Sequence, residues 1–312
     1  MTTLTTARPR SLNFGTYGAA GLAVAAMVSV QSGAAVSTWM FPAVGPAATA
    51  SLRLAFAALM LLAWARPRLR GRSRSDLLFA AALGVVSATM TLCYFQAIDR
   101  IPLGVASSLE FLGPLAVAVA GLRRRADVIW PVLALSGVLI LTQPWNSSLN
   151  LVGLAFGTAA GAALGGYVVF TQRVGDRFSG VDGLAISVTV AALCAAPLGL
   201  PHALSALTPK ILLGAAAAAV LLPVLPYVLE MVALRKLTTA AFGTLLSFEP
   251  AVATLIGFVL LHQTLTVTQM LGIACVMSAS LAAIRRGARP QEPSADEAST
   301  SGAPTSEAPT SS

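Results

Sequence analysis

AIDRIPLGVASSLEFLGPLAVA, residues 97–118, and ALRKLTTAAFGTLLSFEPAVAT, residues 233–254, follow one plan. Laid side by side without a gap, Ala97 falls on Ala233, Pro114 on Pro250 and, just beyond, Gly121 on Gly257. Each stretch runs from a basic residue through a short polar step into small and apolar residues, then reaches a Gly-Pro or Glu-Pro pair. Each also holds a glutamate, Glu110 or Glu249, inside an apolar run of membrane-crossing length. A carboxylate at that depth is costly and is read first as a functional group. One in each half of a duplicated chain points toward transport.

Composition supports the membrane setting. Hydrophobic residues make up 56% of the 312 residues and charged residues 10%, and the mean hydropathy is +0.79. Soluble domains carry roughly 25% charged residues, so an all-α membrane protein in contact with the lipid bilayer is expected. The net charge of +8 raises nucleic-acid binding. The basic residues, however, sit in short loops between apolar runs and not on a polar, aromatic-bearing surface, so no nucleic-acid partner is expected. Cys93, Cys194 and Cys275 lie in apolar segments at spacings that suit neither a disulfide framework nor a metal site. His202 and His262 stand at segment ends, far apart. No metal, cofactor or catalytic residue is expected, because the chain has no H-E-x-x-H, P-loop or G-x-S-x-G signature.

Apolar runs of about 20 residues mark ten spans. They are Tyr17–Met40, Pro46–Ala65, Leu77–Ala97, Pro102–Leu122, Val128–Leu141, Leu151–Gln172, Gly183–Leu200, Ile211–Ala233, Thr239–Leu261 and Val267–Ile284. The first is too long for a signal-peptide core. Of the 20 Lys and Arg residues, all but Arg53, Arg100 and Lys210 fall at the termini or in loops on one side of this stack. The positive-inside rule makes that side, and both termini, cytoplasmic.

Residues 1–14 are then a cytoplasmic N-terminal segment, and 15–142 and 150–285 are two repeats of five spans each. Five is odd, so the second repeat enters the membrane from the opposite side, as in inverted-repeat transporters. Residues 287–312, rich in Pro, Ser, Thr, Ala and Glu, read as a disordered cytoplasmic tail.

Under the 136-residue shift Glu110 meets Leu246 and Glu249 meets Gly113, so the two acids stand about one turn apart in the repeat frame. Either can be a protonatable coupling site, a ligand for a substrate amine, or an acid at the start of a broken helix. Arg53 in the second span either snorkels or pairs to fix the fold, or binds a substrate carboxylate. Pro223 and Pro226 disrupt the eighth span and free backbone carbonyls near Tyr227 and Glu230. Glu230 there is either a cytoplasmic entrance or an interfacial acid. Gln31 and Tyr94 add uncharged hydrogen-bonding groups. Pro114 and Pro250 mark either bends at a cavity or static kinks. Gly153, Gly157, Gly161 and Gly165 form a stripe that lets another helix come close.

Several stretches carry a resemblance: VQSGA (30–34), FPAVG (41–45), LRL (52–54), PLGVASSLEFLGPLAVA (102–118), LPYVLEMVAL (225–234) and FGTLLSFEPA (242–251). In these the chain resembles the drug/metabolite transporter superfamily with two EamA-type repeats, and within it the bacterial inner-membrane threonine/homoserine exporter subfamily. Glu110, Glu249, Glu230 and Arg53 match that pattern. Where such exporters usually read Gly-Glu-Thr-Leu-Thr, this chain has His262-Gln263-Thr264-Leu265-Thr266, so an outer carboxylate is missing. The resemblance implies a multi-pass exporter of the cytoplasmic membrane working by alternating access. Its small-molecule substrates would be small hydroxylated amino acids or related metabolites, linked to protons. Alternatives are a multidrug or hydrophobic-metabolite exporter of the same fold and a membrane-embedded lipid-modifying enzyme.

Overall fold

The structure, a computed structural model, describes residues 16–67, 72–120, 129–142, 150–178, 181–234, 242 and 245–287. The segment 1–14, the basic clusters at 123–125 and 235–236, and the tail beyond Gly287 lie outside the described residues. Every regular element among the described residues is helical. In chain order they are α1 (Thr16–Thr38), α2 (Phe41–Ala65), α3 (Arg74–Ile98), α4 (Leu103–Ala120), α5 (Ile129–Thr142), α6 (Leu151–Gly175) and α7 (Asp182–Ser205). Then come α8 (Pro209–Ala219), a π-helical turn (Val220–Val224), α9 (Leu225–Leu234), α10 (Glu249–Leu261) and α11 (Val267–Gly287). Among the described residues six stretches are long and apolar enough to cross a membrane: Tyr17–Thr38, Phe41–Ala65, Arg74–Ile98, Leu151–Gly175, Asp182–Ser205 and Pro209–Glu230. Shorter apolar helices cover Leu103–Val117, Glu249–Leu261 and Val267–Ala279.

Polar residues in the short connections fix the helix starts. The Ser73 side chain accepts from Asp76 N–H at 3.0 Å, and Asn150 Oδ1 accepts from Val152 and Gly153 at 2.9 and 3.1 Å. Thr266 and Gln269 form a reciprocal capping box, side chain to backbone N–H in both directions, ahead of α11. Each such bond satisfies a donor that the first helical turn leaves open.

Three spans differ from the sequence expectation, each at a proline. The second begins at Phe41 and not Pro46, because Gly45 takes φ 80°, a conformation open to glycine, and lets two helical pieces join across Pro46. The eighth is not continuous: Leu222 leaves helical geometry at φ −156°, ψ 113°, and the π-turn separates α8 from α9. In the ninth, a turn at Ser247–Phe248 separates helical Leu245 and Leu246 from the helix that starts at Glu249, with Pro250 in its first turn, where a missing N–H costs nothing.

The interior is packed with small residues. Ala26, Ala34, Ala57, Ala106, Ala160 and Ala191 are fully enclosed, whereas Leu59, Leu193, Leu213 and Phe258 are more than half exposed. Large apolar residues outward and small or polar ones inward is the arrangement that a lipid surround favours. α2 lies on α7, α3 on α6 and α7, α4 on α6, α10 and α11, and α5 on α11. α1 packs on α8, the π-turn, α9 and α10, and α2 also meets α8.

The glycine stripe of α6 lets α4 come close. A methyl added at Gly161 would stand 2.5 Å from the Leu109 carbonyl oxygen and 3.2 Å from that of Glu110. One at Gly113 would run into the Gly161 carbonyl. Pro114 has no N–H for the Glu110 carbonyl, and the glycine stripe of α6 lies against that gap.

At the basic end, Arg72 pairs with Asp182 (3.3 Å) and stacks over Phe178, while Arg177 pairs with Asp76 (2.9 Å) and lies 4.3 Å over the Phe79 ring. These partly exposed pairs tie the α2–α3 and α6–α7 connections together, as surface pairs of small individual worth.

Candidate functional site

The site begins with the two prolines that break the eighth span. Pro226 has no N–H for the Leu222 carbonyl four residues back, and the N–H of Leu225 turns instead to Val220. The carbonyls of Leu221 and Leu222 are thereby released inside the bundle. Ser29 Oγ on α1 donates to Leu221 O at 2.8 Å, and Arg53 Nη1 on α2 donates to Leu222 O at 3.0 Å.

Arg53 is 3% exposed. Its Nη2 donates to Thr91 Oγ1 on α3 at 3.0 Å, and its guanidinium carbon lies 5.1 Å from the centre of the Phe95 ring. Nε is buried and has no hydrogen-bond partner among the described residues. No carboxylate lies within 4 Å of this guanidinium among the described residues. Glu110 is the acid whose charge acts on it. Arg53 is thus held by a carbonyl, a hydroxyl and a ring, with part of its donor fork uncommitted.

The second part of the site is a chain of hydrogen bonds across three helices. Tyr94 Oη on α3 donates to Gln31 Oε1 on α1 at 3.3 Å, and Gln31 Nε2 donates to Glu249 Oε1 at 3.0 Å. Gln31 is 1% exposed. Glu249 stands in the first turn of α10, the end of a helix that attracts negative charge.

Glu110 reaches the same level through an antiparallel crossing. The start of α4 touches the end of α10: Gly104 faces Thr254, Leu103 lies over Gly257, and Leu103 N–H donates to Gln263 Oε1 at 2.9 Å. Glu110 is seven residues beyond Leu103 and Glu249 eight residues before Gly257. At 1.5 Å per residue both acids lie about 10–12 Å from that end. Each carboxylate acts electrostatically on the other, and Tyr94 lies in range of both. The Glu110 carboxylate makes no hydrogen bond to a described residue, and the residue is only partly buried.

The structure therefore brings Gln31, Arg53, Tyr94, Glu110 and Glu249 together. Glu230 lies farther along α9 but within electrostatic range of Glu249, and Tyr227 neighbours Tyr167 of α6. Pro223 and Pro226 act on the site through the carbonyls they expose, Pro250 by starting α10, and Pro114 by opening α4 beside Glu110. Gln263, at the place of the missing carboxylate, supplies a neutral acceptor that caps α4. Sequence reasoning missed Ser29, Thr91, Phe95 and the Leu221 and Leu222 carbonyls. The prolines signalled that carbonyls would be free, but no local signal names the donors that take them.

An apolar groove of about 350 Å³, lined by Phe248, Ala251, Met270, Ile273 and Met277 among others, runs between α10 and α11 apart from the acids.

The EamA-like transporter family matches residues 18–142 and 151–285. The threonine/homoserine exporter RhtA of Salmonella typhimurium LT2 is 40% identical over 262 residues, covering 82% of this chain and 88% of that one. RhtA of Escherichia coli K12 is 40% identical over 263 residues, with the same coverage. One solved crystal structure, 18% identical, superposes with a TM-score of 0.55 over 85% of this chain and 95% of its own. At that identity the likeness is one of fold.

Proposed function

The chain belongs to the EamA-like transporter family, and is thus a multi-pass membrane transporter and not an enzyme; from that premise we propose that it exports small hydroxylated amino acids such as threonine and homoserine, or related metabolites, across the cytoplasmic membrane. The observation that carries the reading is an interior site with charge of both signs: Arg53 with donors to spare, and Glu110 and Glu249 at one level. An amino-acid zwitterion has the complementary pair of charges. A cationic drug, the substrate of the competing multidrug reading, would leave a buried arginine facing a positive ligand, which is unfavourable in a low-dielectric site.

In this scheme Arg53 binds the substrate carboxylate. Glu110 and Glu249 divide the amine and a coupled proton, and Gln31, Tyr94 and Tyr227 shape the cavity. Glu230 lines the path from the cytoplasm. The scaffold is ten spans in two inverted five-helix repeats, with both termini cytoplasmic, rocking about the site by alternating access. The helix pairings support this. Take α8 and α9 as one broken eighth span, α10 as the ninth and α11 as the tenth. Exchanging the two halves then maps α3 on α6 to α1 on α8–α9, α4 on α6 to α1 on α10, and α3 on α7 to α2 on α8. α2 and α7, α4 and α10, and α5 and α11 pair with their own counterparts.

Counterflow in proteoliposomes tests the reading. Labelled threonine or homoserine should exchange and a cationic dye should not; exchange of the dye alone selects the multidrug alternative. Replacing Glu110→Gln and Glu249→Gln together should abolish the pH dependence of transport. Near-normal transport with an unchanged pH profile would remove the proton role.

A further inference from the structure

We infer that Ser107 determines specificity in this site by hydrogen-bonding the side-chain hydroxyl of the exported amino acid. The inference rests on the proposed reading as an exporter of hydroxylated amino acids.

Serines and threonines buried in membrane helices ordinarily satisfy their hydroxyl on the helix's own carbonyl four residues back. Ser37, Thr49, Ser51, Ser87, Ser108 and Ser187 all do so, at 2.7–2.9 Å. Ser107 does not. It is 2% exposed, directly precedes Ser108, and makes no hydrogen bond to a described residue.

The placement of α4 shows which side Ser107 faces. Leu109 and Gly113 face the glycine stripe of α6, while Leu103 and Gly104 lie against Gly257 and Thr254 of α10. Ser107, four and three residues beyond that pair, lies on the side of α4 turned toward α10, the helix that begins at Glu249. Glu110 and Pro114 follow along the same side, because residues three and four apart share a side of a helix. Ser107 is therefore one turn from Glu110 on the side that also bears the acid. Two polar groups there lack partners: the Ser107 hydroxyl, and the Arg53 Nε within range of Glu110. With the substrate carboxylate at Arg53 and the amine at the acids, the third polar group of threonine or homoserine finds a hydroxyl that both donates and accepts. A site built to bond a hydroxyl rejects the methyl isostere, because the isostere leaves the buried serine unpaired.

The experiment compares threonine with valine, and homoserine with norvaline, in proteoliposomes holding the full chain or its Ser107→Ala variant. Each pair differs by methyl for hydroxyl. The unaltered chain should prefer the hydroxylated member, and Ser107→Ala should lower threonine transport relative to valine about tenfold, bringing the ratio near one. Ser107→Thr, which keeps a hydroxyl, should retain the preference. Thermal stabilisation of the purified variants by each amino acid gives the same comparison without turnover. Retained preference in Ser107→Ala overturns the inference alone, whereas an unaltered chain that moves and binds none of the four overturns the function with it.

Discussion

Arg53 is the residue whose geometry is least replaceable. Its planar fork spans the carbonyl of Leu222 on the broken eighth span and the hydroxyl of Thr91 on α3, while its face rests on Phe95. A lysine there keeps the positive charge but presents one compact donor group on a flexible stem, and cannot hold both partners in the same plane. Arg53→Lys should cost roughly 1.5–3 kcal/mol of stability from the lost charged hydrogen bond. It should also depress threonine transport far more than a change of binding charge alone. Thermal unfolding in detergent and proteoliposome uptake measure the two effects; unimpaired transport with lysine would show that charge suffices. The charged residue itself was legible in the sequence, as an arginine in a span. Its partners were not, because Leu222 lies 169 residues away and nothing local to position 53 encodes that contact.

Among the elements, α6 and α4 carry the test of close approach. The stripe Gly153, Gly157, Gly161, Gly165 was readable from spacing alone, since a small residue every fourth position makes one smooth helix face. What it packs against was not readable: the acid-bearing helix, at the point where Pro114 leaves the Glu110 carbonyl without an N–H. Gly161→Ala places a methyl against backbone, which cannot swing aside, so α4 and α6 must separate and Glu110 must move with them. A loss of about 1–3 kcal/mol is expected, the range for overpacking, with impaired transport. Gly166 on the same helix is the control, since its added methyl would come only to 3.5 Å from a Val86 methyl, an ordinary contact. Gly166→Ala should be stable and active. Equal tolerance at both positions in a thermal-shift series would show that the stripe does not set the α4–α6 distance.

At the scale of the whole molecule, most spans were legible because bilayer thickness demands long apolar runs and short charged loops separate them. The assembly was legible only in outline. Aligned as repeats, Glu110 and Glu249 are a turn out of register, yet the antiparallel crossing of α4 and α10 sets them at one level. The bond from Gln31 to Glu249 likewise joins residues 218 apart. An inverted arrangement makes a sharp demand on sidedness: the end with Arg72, Asp76 and Arg177 must face the cytoplasm, and the α7–α8 connection must face out. Ser75 and Ser205 are exposed residues at these two places. With Cys93, Cys194 and Cys275 replaced, single cysteines at 75 and 205 should react differently with a membrane-impermeant maleimide. The cysteine at 205 should be labelled in intact cells, and the one at 75 only after the membrane is opened. The reverse pattern would invert the topology. Labelling of both from outside would mean that the two ends do not lie on opposite faces, and the pairing symmetry would then need an explanation other than two inverted repeats.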